Sequence, residues 1–545
     1  MKILAAQLNP RVGDLAGNTR AILALLHRAK AQKADLVVTP ELAVTGYPPR
    51  DLLDRPALLD ATANALQQLI DATTAGPALL VGLPMPDHTA PGCLRNSALL
   101  LANGAIVARH DKVLLPSYDV FDETRHFRPG TGLTAVRFGG RTLLISICED
   151  LWAAGDAGLR ARYGHDPLDT APTADLVINL SASPFSLTKL ERRIATVTHA
   201  ARRLQAPVLY LNQVGANDEL LFDGNSFVAL PSGALHRLGH AFSTHEALFD
   251  LTAPHALPPL ETEPELDRLE AALVTGIRDY FSKLGFRRAL VGLSGGIDSA
   301  LTASLAVDAL GPDAVTGLLM PSRFSSQGSL DDAAALAANL GIKTHTLPIE
   351  PAFVALRDTL APSFHHATGG LTEENLQARI RGILLMAHAN RADALLLTTG
   401  NKSELAVGYC TLYGDMCGAL APIADLTKTR VWALARHMNR NGTRIPVNSI
   451  EKPPSAELRE NQTDQDSLPP YEMLDPLVEA YVERNAAPAD LIRSGFPEEV
   501  VARVTRLIDM SEHKRRQTPP LLRVTEKAFG PGRRYPIAAG RTSDL

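Results

Sequence analysis

The chain has 545 residues, more than one hydrophobic core serves, so its length calls for two or three domains. Hydrophobic residues make up 45% and charged residues 21%, a globular balance, and the formal charge of −5 argues against a general nucleic-acid or anionic-membrane surface. The four cysteines (Cys93, Cys148, Cys410, Cys417) show neither CxxC spacing nor a histidine in zinc-ligand register, so neither a disulfide scaffold nor structural zinc is indicated.

The first ten residues read as a short strand, without the charged region, long apolar stretch and cleavage site of a signal peptide. No apolar run is long enough to span a bilayer, and a reducing cytoplasm is the expected location. Apolar, β-branched runs predict strands at 2–9, 35–39, 78–83, 97–101, 142–148, 175–180, 207–212 and 226–230. Helical periodicity at 19–31 and 187–204 falls between them, which predicts an α/β layered unit.

Three strand ends in this half carry reactive groups. Thr39-Pro40-Glu41-Leu42 closes one strand with a carboxylate, and Lys112 precedes the apolar Val113-Leu114-Leu115. Cys148 ends the run Leu143–Ile147 and is followed by Glu149-Asp150-Leu151-Trp152. Taken singly, the cysteine is a small core residue and the charges are exposed strand termini. In the order Glu, Lys, Cys, and together with Phe121-Asp122-Glu123, Asn179-Leu180-Ser181-Ala182-Ser183-Pro184 and 218–224, residues 1–250 resemble the nitrilase (carbon–nitrogen hydrolase) family. The resemblance implies a four-layer αββα sandwich with Cys148 as nucleophile, Glu41 as base and Lys112 stabilising an oxyanion. It further implies that Tyr118, Ser183 and Lys189 hold the free ends of a glutamine, with Glu149 as a polar neighbour. Some relatives carry arginine where this chain has Lys189.

At 253–264 the pattern stops at Pro254, Pro258, Pro259 and Pro264, interleaved with Glu261 and Glu263, which reads as a linker. A new series follows: helix 266–284, strand 289–293, loop 294–296, helix 297–310, then strands at 315–320, 343–348 and 394–399. It predicts a doubly wound parallel sheet. Residues 441–466 are polar and proline-rich, the composition of a mobile segment.

Between strand 289–293 and the next helix lies Gly292-Leu293-Ser294-Gly295-Gly296-Ile297-Asp298-Ser299. Glycines there let the backbone turn sharply, and the amides of the helix N-terminus face an anion. Ser294 and Ser299 add hydroxyls, and Asp298 is suited to hold Mg²⁺ against phosphate oxygens. No lysine follows the glycine pair, so this is not a GxxxxGK[ST] loop. The SGGIDS string resembles the loop of the ATP-pyrophosphatase superfamily. Adding Leu319–Arg323, Glu374–Gly382, Thr398–Glu404, Tyr413-Gly414-Asp415, Pro422–Thr429 and Ser511–Gln517, the half resembles the NAD synthetase family and not the GMP or argininosuccinate synthetases. That resemblance implies ATP contacts from Gly292 through Ser299 and from Thr399. It implies deamido-NAD contacts from Asn375, Glu404 and Lys514, and Mg²⁺ ligation by Asp298 and Glu404.

Jointly the resemblances divide the chain into a nitrilase-like glutaminase domain (1–252), a linker (253–265) and an ATP-pyrophosphatase-type domain (266–545). They imply ATP-driven amidation of deamido-NAD with ammonia taken from glutamine. ATP and Mg²⁺ are then required, with no nucleic-acid or membrane partner, and relatives form symmetric homo-oligomers, often octamers. Two competing readings are a nitrilase-family amidase with a regulatory nucleotide-binding domain, and an inert nucleotide sensor. The intact Glu41, Lys112, Cys148 and Asp298 speak against the sensor.

Overall fold

A computed structural model of the chain describes residues 1–365 and 369–540. Two compact units divide it, Met1–Pro264 and Glu265–Leu545.

The first unit contains β1 (Lys2–Gln7), α1 (Leu15–Ala31), β2 (Leu36–Val38), α2 (Pro56–Ala72), β3 (Ala78–Pro86), β4 (Leu94–Ala102) and β5 (Ala105–Asp111). These are followed by β6 (Thr134–Phe138), β7 (Arg141–Ile147), α3 (Ala157–Tyr163), β8 (Leu176–Ser181), α4 (Lys189–Leu204) and β9 (Val208–Asn212). The hairpin β10 (Val214–Asn217) and β11 (Leu220–Asp223) precedes β12 (Phe227–Ala229), β13 (Leu235–Arg237) and β14 (His245–Asp250). Two six-stranded sheets result, ordered β14-β1-β2-β3-β4-β5 and β13-β12-β9-β8-β7-β6. Within each, three central strands run parallel (β1-β2-β3 and β7-β8-β9), flanked by antiparallel edges.

Side-chain alternation explains the layering. Ile3, Ala5, Val38 and Leu80 of the first sheet pack with Ile145, Ile178 and Leu211 of the second between the sheets. Their neighbours Leu4, Val37 and Leu79 face the other way, onto Ile22, Leu25 and Leu69 of α1 and α2. On the second sheet Leu144, Val177 and Val208 face Val197 and Ala201 of α4. Both faces of each central strand are thus buried, which is why those strands read as continuous apolar runs. The αββα sandwich expected from the sequence is the observed fold. Residues 257–261 lie along β13, where Arg237 N–H donates to Pro258 O and Leu260 N–H to Leu235 O.

The second unit opens with α5 (Glu265–Leu284), β15 (Ala289–Gly292), α6 (Ile297–Leu310), β16 (Val315–Leu319), α7 (Gln327–Leu340), β17 (Lys343–Thr346) and α8 (Glu350–Leu360). Then come α9 (Leu371–Ala392), β18 (Leu395–Leu397), α10 (Lys402–Val407) and α11 (Lys428–Met438). The four strands are all parallel, in the order β17-β16-β15-β18. The chain steps outward from β15 through β16 to β17 and then returns to the far side of β15. Such a reversal opens a crevice at the carboxyl ends of β15 and β18. Among the described residues no helix is long and apolar enough to cross a membrane.

Candidate active site

In the first unit the reactive groups sit where strands end. Cys148 follows β7 directly at φ +44°, a left-handed conformation costly for a residue with a Cβ, and starts the short 3-10 helix Cys148–Leu151. Glu41 lies in the turn after β2. Gly82 on β3 admits that turn, because a Cβ there would stand 2.5 Å from Leu42 N and 2.9 Å from Pro40 O. Lys112 follows β5, its N–H donating to Asn96 O at 2.8 Å.

The structure brings all three together. Lys112 Nζ donates to Glu41 Oε1 at 2.8 Å and to Glu123 Oε1 at 2.7 Å, with the lysine and Glu41 side chains fully buried. Asn96 Nδ2 donates to Glu41 Oε1 at 2.7 Å and Ala182 N–H to Glu41 Oε2 at 3.0 Å. Tyr47 OH donates to Glu123 Oε1 at 2.8 Å. Burial lowers the affinity of Lys112 for its proton, but Glu123 and Glu41 outweigh it and hold the ammonium well above the usual lysine range. Burial pushes the Glu123 carboxyl up to about 7 against the pull of Lys112. Burial, reinforced by Glu41, pushes the Cys148 thiol well above its ordinary value, while Lys112 opposes. Burial thus favours the thiol form of Cys148, and nucleophilic chemistry at that sulfur would need a neighbouring base to take the proton.

Around this cluster Tyr118 OH and Tyr163 OH donate to Glu149 Oε1 at 2.6 and 3.1 Å. The Lys189 ammonium lies 4.0 Å above the Trp152 ring, and burial lowers it to about 8 although Glu149 works the other way. Ser183 N–H donates to Asn212 Oδ1 at 2.8 Å, and Arg193, paired with Asp223, donates to Ser183 O. A zwitterionic amino acid would meet a carboxylate at Glu149 and an ammonium at Lys189. Glu123, Tyr47, Asn96 and Tyr163 were given no role by the sequence. Glu123 stands in Phe121-Asp122-Glu123, but nothing in that string says that its carboxylate shares the lysine.

In the second unit a cavity of ≈ 330 Å³ opens at the crevice. Gly292, Leu293, Ser294, Gly296, Ile297 and Asp298 line it, as do Thr399 and Glu404. Gly295 and Ser299 do not, because they build the turn. Gly295 has φ +78°, and a Cβ would meet Ser329 O at 2.2 Å. Ser299 Oγ donates to Gly296 O at 3.0 Å and lies 3.2 Å from Ser294 Oγ.

Asp298 Oδ2 accepts from Lys428 Nζ at 2.5 Å, and Glu404 Oε1 accepts from the same ammonium at 3.2 Å. Asn401 ties both carboxylates down, donating to Asp298 Oδ1 at 3.1 Å through its side chain and to Glu404 Oε2 at 3.4 Å through its N–H. Burial raises Glu404 to about 8, with Lys428 pulling it down. Two hard carboxylates thus converge on one positive centre beside the glycine turn, a donor set that fits Mg²⁺ completed by phosphate oxygens. Lys428 lies in the Pro422–Thr429 run, where nothing in the string marks it as the partner of Asp298.

Two residues expected at the dinucleotide do not line this cavity. Asn375 Oδ1 accepts from Thr411 Oγ1 at 2.8 Å. Lys514 Nζ donates to Gly408 O and Cys410 O, both at 2.7 Å. Both therefore hold the loop that follows α10. Nor is 441–466 a loose chain. Glu457 accepts from Ser326 Oγ and Ser329 Oγ, Lys452 pairs with Asp332, and Tyr471 OH donates to Asp464.

A buried Glu–Lys–Cys cluster in one sandwich and a phosphate-type loop over a parallel sheet define a chain with two separate reaction centres. The carbon–nitrogen hydrolase family model matches residues 2–244, and the NAD synthase model matches residues 269–518. The glutamine-dependent NAD(+) synthetase of Synechocystis sp. is 46% identical over 551 residues, covering 98% of each chain. That of Rhodobacter capsulatus is 42% identical over 98% of each. The solved glutamine-dependent NAD+ synthetase of Acinetobacter baumannii, in complex with ADP, is 37% identical with a TM-score of 0.76, covering 98% of both chains. The chain belongs to the glutamine-dependent NAD(+) synthetase family.

Proposed function

We propose that the chain amidates deamido-NAD to NAD, using ATP for activation and glutamine as the nitrogen source. The observation that carries this reading is the pairing, in one chain, of the Glu41–Lys112–Cys148 cluster with the Asp298–Lys428–Glu404 cavity. Residues 1–252 act as the glutaminase domain and 266–545 as the synthetase domain, joined by 253–265.

In the first domain Glu41 takes the Cys148 proton and sulfur attacks the glutamine side-chain carbonyl. The Lys112 ammonium stabilises the oxyanion. Collapse breaks the C–N bond, and the proton held by Glu41 leaves with the ammonia. Water, deprotonated by Glu41, then cleaves the thioester to glutamate and restores the thiol. Tyr118, Ser183 and Lys189 hold the substrate's free ends.

In the second domain the nicotinate carboxylate attacks the α-phosphorus of ATP and pyrophosphate departs. Ammonia then attacks the activated carbonyl, AMP leaves, and the amide of NAD remains. The loop 292–299 and Thr399 hold the phosphates, while Asp298 and Glu404 would hold Mg²⁺. The ion would supply charge neutralisation at the α-phosphate. Lys428 adds a fixed positive charge at the same place. Asn375, Glu404 and Lys514 orient the dinucleotide, for Asn375 and Lys514 through the loop after α10. The four free cysteines suit a reducing cytoplasm, and a symmetric homo-oligomer is the expected assembly.

Supplied with deamido-NAD, ATP, Mg²⁺ and glutamine, the protein is expected to form AMP, pyrophosphate, glutamate and NAD in step. Formation of ADP and phosphate in step with NAD would overturn the adenylation route.

Lys189 gives a second expectation, with a sign. Its ammonium is present below about pH 8 and lost above it. The KM for glutamine should rise through that range, because the neutral amine no longer pairs with the α-carboxylate. Lys189→Arg stays charged, so its KM should remain flat relative to the parent. Both proteins see the same ionisation of glutamine, so the difference isolates the lysine. Parallel profiles would remove Lys189 from the binding site.

A further inference from the structure

Asp150 and His110 are both completely buried beside Cys148, and the proposed mechanism uses neither. One carboxylate here gathers four donors from three directions. Ile147 N–H donates to Asp150 Oδ2 at 2.9 Å, and His110 Nε2 lies 2.9 Å from the same oxygen. Val113 N–H and Leu114 N–H donate to Oδ1 at 2.8 and 3.0 Å. Ile147 immediately precedes Cys148, while His110 and Val113-Leu114 bracket Lys112 on both sides. An aspartate that only capped its own 3-10 helix would need Ile147 alone.

Resting on the glutaminase reading above, we propose that Asp150 is a positioning residue that fixes the distance between the Cys148 sulfur and the Lys112 ammonium, with His110 completing the clamp. Three features support it. The left-handed Cys148 backbone persists only if its surroundings hold it, and the Ile147 bond is such a hold. The Val113 and Leu114 bonds fix where the chain leaves Lys112, so the ammonium is aimed from a rigid base. Two carboxylate oxygens meet the three backbone N–H groups and the His110 ring nitrogen, whereas a carboxamide in their place would set its own N–H group against one of those donors.

The test is glutamine hydrolysis by Asp150→Asn. Its kcat should fall ~10- to 100-fold, the scale of a misplacement of about 1 Å in a reacting group, with KM for glutamine unchanged. KM is spared because the free ends of glutamine bind elsewhere. A second readout is the pH profile of Cys148 alkylation by iodoacetamide. Glu41, Lys112, Glu149 and Glu123 are charged groups that bear on this thiol, and Lys112 is the one that lowers its pKa. Displacing Lys112 should move the profile to higher pH, which a loss of stability alone would not do. Unchanged kcat, a loss confined to KM, or an unmoved alkylation profile would each overturn the proposal.

Should Asp150→Asn fail to fold, His110 decides. His110→Phe should lower kcat at constant KM, and His110→Gln, whose amide still donates, should recover most of it. Wild-type kcat in His110→Phe would sink the clamp. Cys148→Ala, run alongside, keeps the two claims apart. If it still consumes glutamine, the glutaminase reading fails. If it does not, and the Asp150 and His110 variants hydrolyse glutamine normally, only the positioning role is lost.

Discussion

Cys148→Ala is expected to abolish glutamine-supported NAD synthesis, by roughly 10⁴- to 10⁶-fold, the size seen when an activated nucleophile is removed from its constellation. The substitution deletes one sulfur and leaves the Glu41–Lys112–Glu123 bonds in place. Its backbone stays at the same left-handed angle with a Cβ as before, so the fold should survive. Synthesis from high ammonium chloride should persist, because ammonia enters after the thioester chemistry. That residual route should speed up as pH rises and more of the ammonium becomes NH₃. Retained use of glutamine would show that Cys148 is not the nucleophile. Loss of the ammonium route in a folded protein would show that the two centres cannot be separated.

The parts of this arrangement that the sequence makes legible share a physical cause. β1, β2, β3, β7, β8 and β9 are buried on both faces, so their apolar runs are unbroken and mark them as strands. β5 and β14 escape the same pattern because much of each is exposed: Ile106 and Val107 are exposed side by side on β5, and β14 alternates, with Leu248 exposed. β14 also pairs with β1 across more than two hundred residues, Phe249 opposite Ile3, which no local window detects. The same division runs through the sites. Glu41, Lys112 and Cys148 each end or follow a strand inside a motif, and Asp298 sits in a loop whose glycines announce it. Glu123, Asn96, Asp150 and Lys428 matter through what they touch, and each touches groups distant in the chain. Lys514, which the family resemblance implies at the dinucleotide, donates its ammonium to the carbonyls of Gly408 and Cys410, contacts that no string reveals.

Asp298→Asn is expected to stop NAD synthesis with either nitrogen source, since activation precedes the use of ammonia from any origin. A fall of about 10²- to 10³-fold is the scale for removing one electrostatic stabiliser of a charged transition state. The substitution preserves shape but removes the charge that faces both Lys428 and the proposed Mg²⁺ position. The amide oxygen can still accept from the Lys428 ammonium but carries no charge, and it is a poorer metal ligand than a carboxylate, so the apparent requirement for Mg²⁺ should rise. Buried Lys428 would keep Glu404, at 3.2 Å, as its one carboxylate partner within hydrogen-bond reach among the described residues, and a buried ion that loses a charged partner destabilises its surroundings. A lower Tm in the ligand-free protein should therefore accompany the lost activity. Glutamate release should persist, because Glu41, Lys112 and Cys148 are untouched. Glu404→Gln should reproduce the pattern, as it removes the other carboxylate from the same ammonium. Near-normal NAD synthesis by Asp298→Asn at limiting Mg²⁺ would remove this carboxylate from the metal site and leave Lys428 as the charge that matters there.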